Sequence, residues 1–164
     1  MKKMIMVLLL CTNVFASGQV GDKAISFTLP NLHKMDKTIS LVEQKGKVVL
    51  FNLWASWCGG CKEEMPLFVK LQNKFDKDKF VVITSSIDED SQNAISFLKK
   101  VDKKKVLTAL YDKAKMLPKA YKCMGMPTSY LIDKNGQIIE TFVGSINGRS
   151  MIKLENSINS LLGK

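Results

Sequence analysis

"FNLWASWCGGCKEEMP", residues 51–66, runs from an apolar stretch through two cysteines three apart into a charged segment that holds a proline. Its flanks say where it sits. Upstream, GKVVLFNLW (Gly46 to Trp54) is a continuous apolar run rich in β-branched residues, with the length of a strand buried on both faces. Downstream, Met65, Phe68, Val69, Gln72 and Phe75 recur at helical spacing, with lysines and acids on the other side. The cysteines therefore stand where a buried strand hands over to a helix. A Cys-x-x-Cys there supports three readings: a metal clip, a structural staple or a redox centre.

The rest of the chain reads as alternating strands and helices. Ala24 to Asn31 and Lys37 to Leu41 form two short strands, with His33–Lys37 as the turn of a hairpin and His33 on the surface. Lys79 to Ile87 is a second buried strand. Asp88 to Val101 is a helix with acids at its start and lysines at its end, as the helix dipole favours. Val106 to Asp112 is a short strand, and Lys113 to Lys122 a helix interrupted by Pro118. Thr128 to Gly144 is a hairpin around Lys134-Asn135-Gly136, and Ser150 to Lys164 a closing amphipathic helix. This order predicts an α/β fold: a parallel βαβ unit with a right-handed crossover, completed by an antiparallel hairpin into a mixed sheet.

At 164 residues, 46% of them hydrophobic, the chain has enough apolar surface for one globular core, which excludes a disordered protein. The net charge is +10, almost all from dispersed lysines, and Arg149 is the only arginine. Nucleic-acid binders cluster arginine and aromatic residues on one face, so a solvated lysine surface is the better reading and no nucleic-acid partner is expected. Residues 1–16 follow the plan of a secretory signal peptide: Lys2 and Lys3, then an apolar core, then Val14-Phe15-Ala16. The alternative is an uncleaved membrane anchor. With residues 1–16 removed, Cys58, Cys61 and Cys123 remain, one pair and one spare thiol. Cys123 reads as a small buried hydrophobe.

Residues i and i+3 on the first turn of a helix face one another, within reach of a disulfide. The helix N-terminus, with its unpaired N–H groups, stabilises a thiolate. Lys62 adds a cation, Gly59 and Gly60 leave the sulfur uncovered, and Trp57 gives an apolar shoulder. Cys58 is then the attacking thiol, and Cys61, deeper in the helix, the resolving one. A metal site needs more ligands than one knuckle, His33 and Cys123 supply. A staple that closes so short a loop constrains little of the unfolded chain.

At this point the residues resemble a family. Trp54-Ala55-Ser56-Trp57-Cys58-Gly59-Gly60-Cys61-Lys62 resembles the active site of thioredoxin-fold proteins, Pro66 the proline of their active-site helix, and Gly125-Met126-Pro127-Thr128 their cis-proline loop. Val20 to Leu29, Asn52 in place of a buried aspartate, and Glu64 in Trp-Cys-x-x-Cys-x-x-Glu-x-Pro make the chain similar to the TlpA/ResA-like branch. The resemblance implies a thioredoxin-like fold over residues 17–164, with an N-terminal β-hairpin and a central helix-strand insertion. It implies a thiol-disulfide oxidoreductase whose only redox group is the Cys58–Cys61 pair, without a further cofactor or metal. Glu64 would assist the cysteines, and Trp57, Met126 and Pro127 would contact substrate. The implied setting is extracytoplasmic, periplasmic and monomeric. Exported disulfide-bearing proteins, apocytochrome c among them, would be the clients, and a membrane thiol-disulfide protein the electron donor. A disulfide-inserting oxidant and a peroxiredoxin-like peroxidase are the alternative activities. The Gly-Gly dipeptide departs from the usual Gly-Pro or Glu-Pro.

Overall fold

The computed structural model describes residues 18–164; the expected signal segment, residues 1–16, lies outside the described residues. Seven strands form one mixed sheet: β1 (Thr28–Asn31), β2 (Lys34–Ser40), β3 (Val48–Trp54), β4 (Phe80–Ser86), β5 (Thr108–Tyr111), β6 (Thr128–Ile132) and β7 (Ile138–Val143). Their spatial order is β2-β1-β5-β4-β3-β6-β7. The middle three, β5, β4 and β3, are parallel, and β6 and β7 add antiparallel on one side. The β1–β2 hairpin adds antiparallel on the other, so the sheet is mixed as expected. Four helices complete the fold: α1 (Gly59–Lys74), α2 (Ser91–Val101), α3 (Met116–Ala120) and α4 (Gly148–Leu162).

The sheet buries both faces because its central strands are apolar on both. In β3, Val48, Leu50 and Trp54 pack with Met65, Phe68 and Leu71 of α1, Ala94 and Leu98 of α2, and Leu154 and Ile158 of α4. Val49, Phe51 and Leu53 face the other way, onto Phe27, Leu117 of α3, Tyr121 and Tyr130. Gln72 is polar yet sits on the buried stripe of α1. It donates from Nε2 to Phe80 O at 3.1 Å and accepts from Val82 N at 2.7 Å, so neither end of its amide is left unpaired against β4. The α2–β5 segment widens the sheet and supplies the edge on which the hairpin pairs.

Several boundaries differ from the sequence reading, each for a local reason. The first hairpin turns at Leu32-His33, and Lys34–Lys37 belong to β2, an exposed edge strand whose polar residues hide its period. His33 is not a free surface residue. Its Nε2 is buried 3.7 Å from Asp102 Oδ2, and burial holds the imidazole below its ordinary pKa, with the Asp102 charge opposing. α3 starts only at Met116, because Lys115 is left-handed (φ 52°) and Asp112 accepts from Met116 N and Leu117 N. Pro118 lies in its first turn, where a missing N–H has no intrahelical partner to lose. α2 starts at Ser91, capped by Asp90, which frees Asp88 for another task.

Candidate active site at the end of the central strand

β3 ends at Trp54 and the chain turns through Ala55–Trp57 into α1. Cys58 is the N-cap of that helix, and its N–H donates to Ala55 O at 3.1 Å. Cys58 and Cys61 are joined as a disulfide, with Cα atoms 5.3 Å apart. The Cys61 N–H points at Cys58 Sγ, 3.2 Å away. A thiolate on Cys58 would receive that same N–H and the positive end of α1, which is the physical basis for a depressed thiol pKa. Cys61 is fully buried and Cys58 retains 7% exposure, so the outer sulfur belongs to Cys58. Trp57 is 65% exposed beside it.

The second part of the site comes from the loop before β6. The Met126–Pro127 peptide is cis. A Cβ built on Gly60 would lie 3.4 Å from Pro127 Cδ and would overlap Ser145 Oγ. The proline loop and the β7–α4 turn therefore press on Gly60, while Gly59 stays open, and glycine at position 60 leaves room for the Ser145 hydroxyl. The loop is pinned by Gly144 N to Pro127 O at 2.9 Å and Thr128 Oγ1 to Gly125 O at 2.7 Å. Cys123 is not the buried hydrophobe expected: it is half-buried, and its thiol donates to Gly125 O at 2.9 Å. Among the described residues no three His, Cys, Asp or Glu side chains gather as a metal site requires.

Below the disulfide, Glu64 is fully buried. Its carboxyl accepts from Asn52 Nδ2 at 2.8 Å and from Ile146 N at 2.9 Å. Burial pushes its pKa up to about 7 against these two hydrogen bonds, which pull it down. Residues i and i+3 share a helix face, so Glu64 lies on the face of Cys61, one turn further in. Position and titration range suit a group that gives a proton to a sulfur at neutral pH and takes it back.

Asp88 was missed in the sequence, where it read as one of three acids opening a helix. It is buried at the end of β4 and accepts from Ser56 N at 3.0 Å, Ser56 Oγ at 2.7 Å and Ser86 Oγ at 2.7 Å. It thus ties down the turn that presents Cys58. The signal was its place immediately after a buried strand with a Ser-Ser end. Replacing Asp88 with Ala strands these donors, and each hydrogen bond to a charged group is worth about 1.5–3 kcal/mol. Asp88→Ala is expected to lower urea-unfolding stability by at least about 2 kcal/mol, and Asp88→Asn, which keeps one acceptor, by less. Unfolding midpoints equal to the parent protein's would show that the clamp carries no stability.

A strand-to-helix turn bearing a Cys-x-x-Cys disulfide, pressed upon by a cis-proline loop, places the molecule among thioredoxin-fold dithiol proteins. Comparison with known proteins gives the same class and narrows it. The Redoxin family matches residues 19–158. A thiol-disulfide oxidoreductase ResA of Bacillus cereus is 33% identical over 126 residues, 77% of this chain and 70% of that protein. The thioredoxin-like protein YneN of Bacillus subtilis is 34% identical over 81% of this chain and 76% of its own length. Among solved structures, a chain from Chlorobium tepidum described as a thiol:disulfide interchange protein DsbE superposes with a TM-score of 0.80 at 34% identity, covering 88% of this chain and 99% of that one. The chain belongs to the redoxin family, in the TlpA/ResA-like group of thiol-disulfide oxidoreductases.

Proposed function

We propose that this thiol-disulfide oxidoreductase works as a reductant of disulfides in exported proteins, with Cys58 as nucleophile and Cys61 as resolving thiol. The observation that carries the reading is the pairing of an outer sulfur at a helix N-terminus with an inner sulfur whose helix face it shares with Glu64.

In the reaction, the Cys58 thiolate attacks one sulfur of a client disulfide. A mixed disulfide forms and the other client sulfur leaves as a thiolate. The Cys61 thiol passes its proton to the Glu64 carboxylate and attacks Cys58 Sγ. The Cys58–Cys61 bond forms, the second client sulfur leaves, and two electrons have moved from the pair to the client. Trp57, next to Cys58 in the chain, and the Met126-Pro127 loop, which approaches Gly60, are the surfaces a client segment would meet. No cofactor beyond the pair is needed for this chemistry. Ala55 carries no hydroxyl three residues before Cys58, which speaks against the peroxidase alternative.

The oxidised pair must be re-reduced, and a membrane thiol-disulfide protein is the donor we infer. Lys2, Lys3 and the apolar stretch that follows support export by a signal peptide, hence an extracytoplasmic and periplasmic site of action. Among the described residues no helix is long and apolar enough to cross a membrane. Apocytochrome c, whose paired thiols must be reduced before haem attachment, is the client class the family resemblance favours. We expect the monomer to be the working unit.

The test is the reduction potential of the Cys58–Cys61 pair, equilibrated in dithiothreitol or glutathione buffers. A value near or below about −270 mV is expected for a reductant that draws on a membrane donor. A value near about −120 mV would make the protein a disulfide-inserting oxidant and overturn the direction proposed.

A further inference from the structure

Asn52 is buried in the middle of β3, on the face that α1 covers. Its register partners are Ser129 on β6 to one side and Thr84 on β4 to the other. Its Nδ2 donates twice, to Glu64 Oε1 at 2.8 Å and to Ser129 Oγ at 2.9 Å. That uses both hydrogens of the amide nitrogen. Its Oδ1 is buried without a hydrogen-bond partner, and so is the hydroxyl of Thr84. A side-chain amide held in the core with its carbonyl unmatched is costly and calls for a reason.

The reason lies in Glu64. In this arrangement both groups that touch its carboxyl, Asn52 Nδ2 and Ile146 N, are donors. Two donors suit a carboxylate. A carboxylic acid brings a hydrogen of its own, and neither of these two contacts is an acceptor for it. Turning the Asn52 amide over supplies one, and it needs almost no space because the two ends of an amide are nearly the same shape. Oδ1 then accepts from the Glu64 O–H and from the Ser129 hydroxyl, which changes from acceptor to donor. Nδ2 moves to the side away from Ser129, that of Thr84 in the strand register; the Thr84 hydroxyl does not bond Oδ1 as the amide stands, so its side chain must rotate to accept from Nδ2. Each protonation state of Glu64 thus has an amide orientation that satisfies it.

We infer that Asn52 is a two-position amide that turns over with the proton on Glu64, holding the carboxylate in one orientation and the acid in the other. It is a positioning residue, acting on the cysteines only through Glu64, and the inference rests on the proposed exchange of protons between Glu64 and Cys61. No charged side chain is among the groups that set the Glu64 titration. Lys62 and Glu63 beside it on α1 are exposed, and β3 and β6 present only Asn52 and Ser129. The remaining titratable groups on that turn are the thiols of Cys58 and Cys61, absent as such in the oxidised protein.

The experiment is an NMR titration of the oxidised, isotope-labelled protein through the Glu64 midpoint. The Glu64 carboxyl carbon reports the proton, and nuclear Overhauser contacts of the Asn52 NH2 report the amide. Above the midpoint the NH2 should contact Ser129; below it the contact should move to Thr84, with the same midpoint. An NH2 that stays beside Ser129 throughout overturns the inference. In Asn52→Leu, which removes donor and acceptor together, the carboxylate loses one of its two donors. The acid loses its acceptor at the same time, so the two losses oppose and the Glu64 midpoint is expected to move by less than about tenfold; a shift of about tenfold or more toward tighter proton binding, the effect of a donor fixed on the carboxylate, overturns the inference as well. The reading beneath it fails separately: if Glu64→Gln reduced clients at the parental rate, the proton exchange would be wrong, whatever the amide does.

Discussion

Cys61→Ser is expected to abolish turnover and leave the protein linked to its clients through Cys58. The outer sulfur can still attack, because its N-cap position and the Cys61 N–H that faces it come from the backbone and survive the substitution. What is lost is the second displacement, since a serine hydroxyl does not cleave a disulfide. Client reduction should fall to the rate seen without protein, while a mixed disulfide accumulates as a heavier band on a non-reducing gel and disappears with dithiothreitol. Cys58→Ser should be equally inactive and form no such band: its one remaining thiol of the pair is buried under the first turn of α1. The two variants together separate the roles. If Cys58→Ser trapped clients and Cys61→Ser did not, the assignment of nucleophile and resolver would be reversed.

The parts of this site that were legible in the sequence are those written in side-chain type and local spacing. A buried strand shows as an unbroken apolar run, so β3 and β4 could be placed to within two residues, and the Cys-x-x-Cys at the end of β3 followed from the change of period. The proline loop was legible through its resemblance to a known motif. What could not be read depended on contacts across the fold. Ile146 reaches Glu64 through its main-chain N–H, which has no signature in the sequence, from 82 residues away. Ser145 matters because it lies over Gly60, a matter of tertiary approach alone. Asp88 looked like one of three acids opening a helix, until the helix proved to start after Asp90, its cap. The β1–β2 turn was misplaced because an exposed edge strand need not alternate, so Lys34–Lys37 looked like a loop. Chemistry carried by local residue type is readable; chemistry completed by a distant backbone group or neighbour is not.

Glu64 joins the fold and the reaction, and its cost to stability can be worked out. Its carboxyl titrates at about 7 in the folded protein against an ordinary value of 4.5. A raised acid binds its proton more tightly folded than unfolded, so between these two values the native state holds more protons and stability falls as pH rises. The stability linked to this group is therefore fully present below pH 4.5 and lost as pH climbs through about 7. At about 1.4 kcal/mol per unit, the loss is about 3 kcal/mol. Glu64→Gln carries no charge to desolvate. The variant is expected to match the parent in urea unfolding at low pH and to exceed it by about 3 kcal/mol above neutrality. It should also reduce clients about 10²-fold more slowly, because the group that takes the Cys61 proton is gone. Gain in stability with loss of rate is the mark of a charge buried for chemistry and not for packing. Parallel stability curves across the pH range would mean that Glu64 titrates normally, and the proton exchange with Cys61 would lose its physical basis.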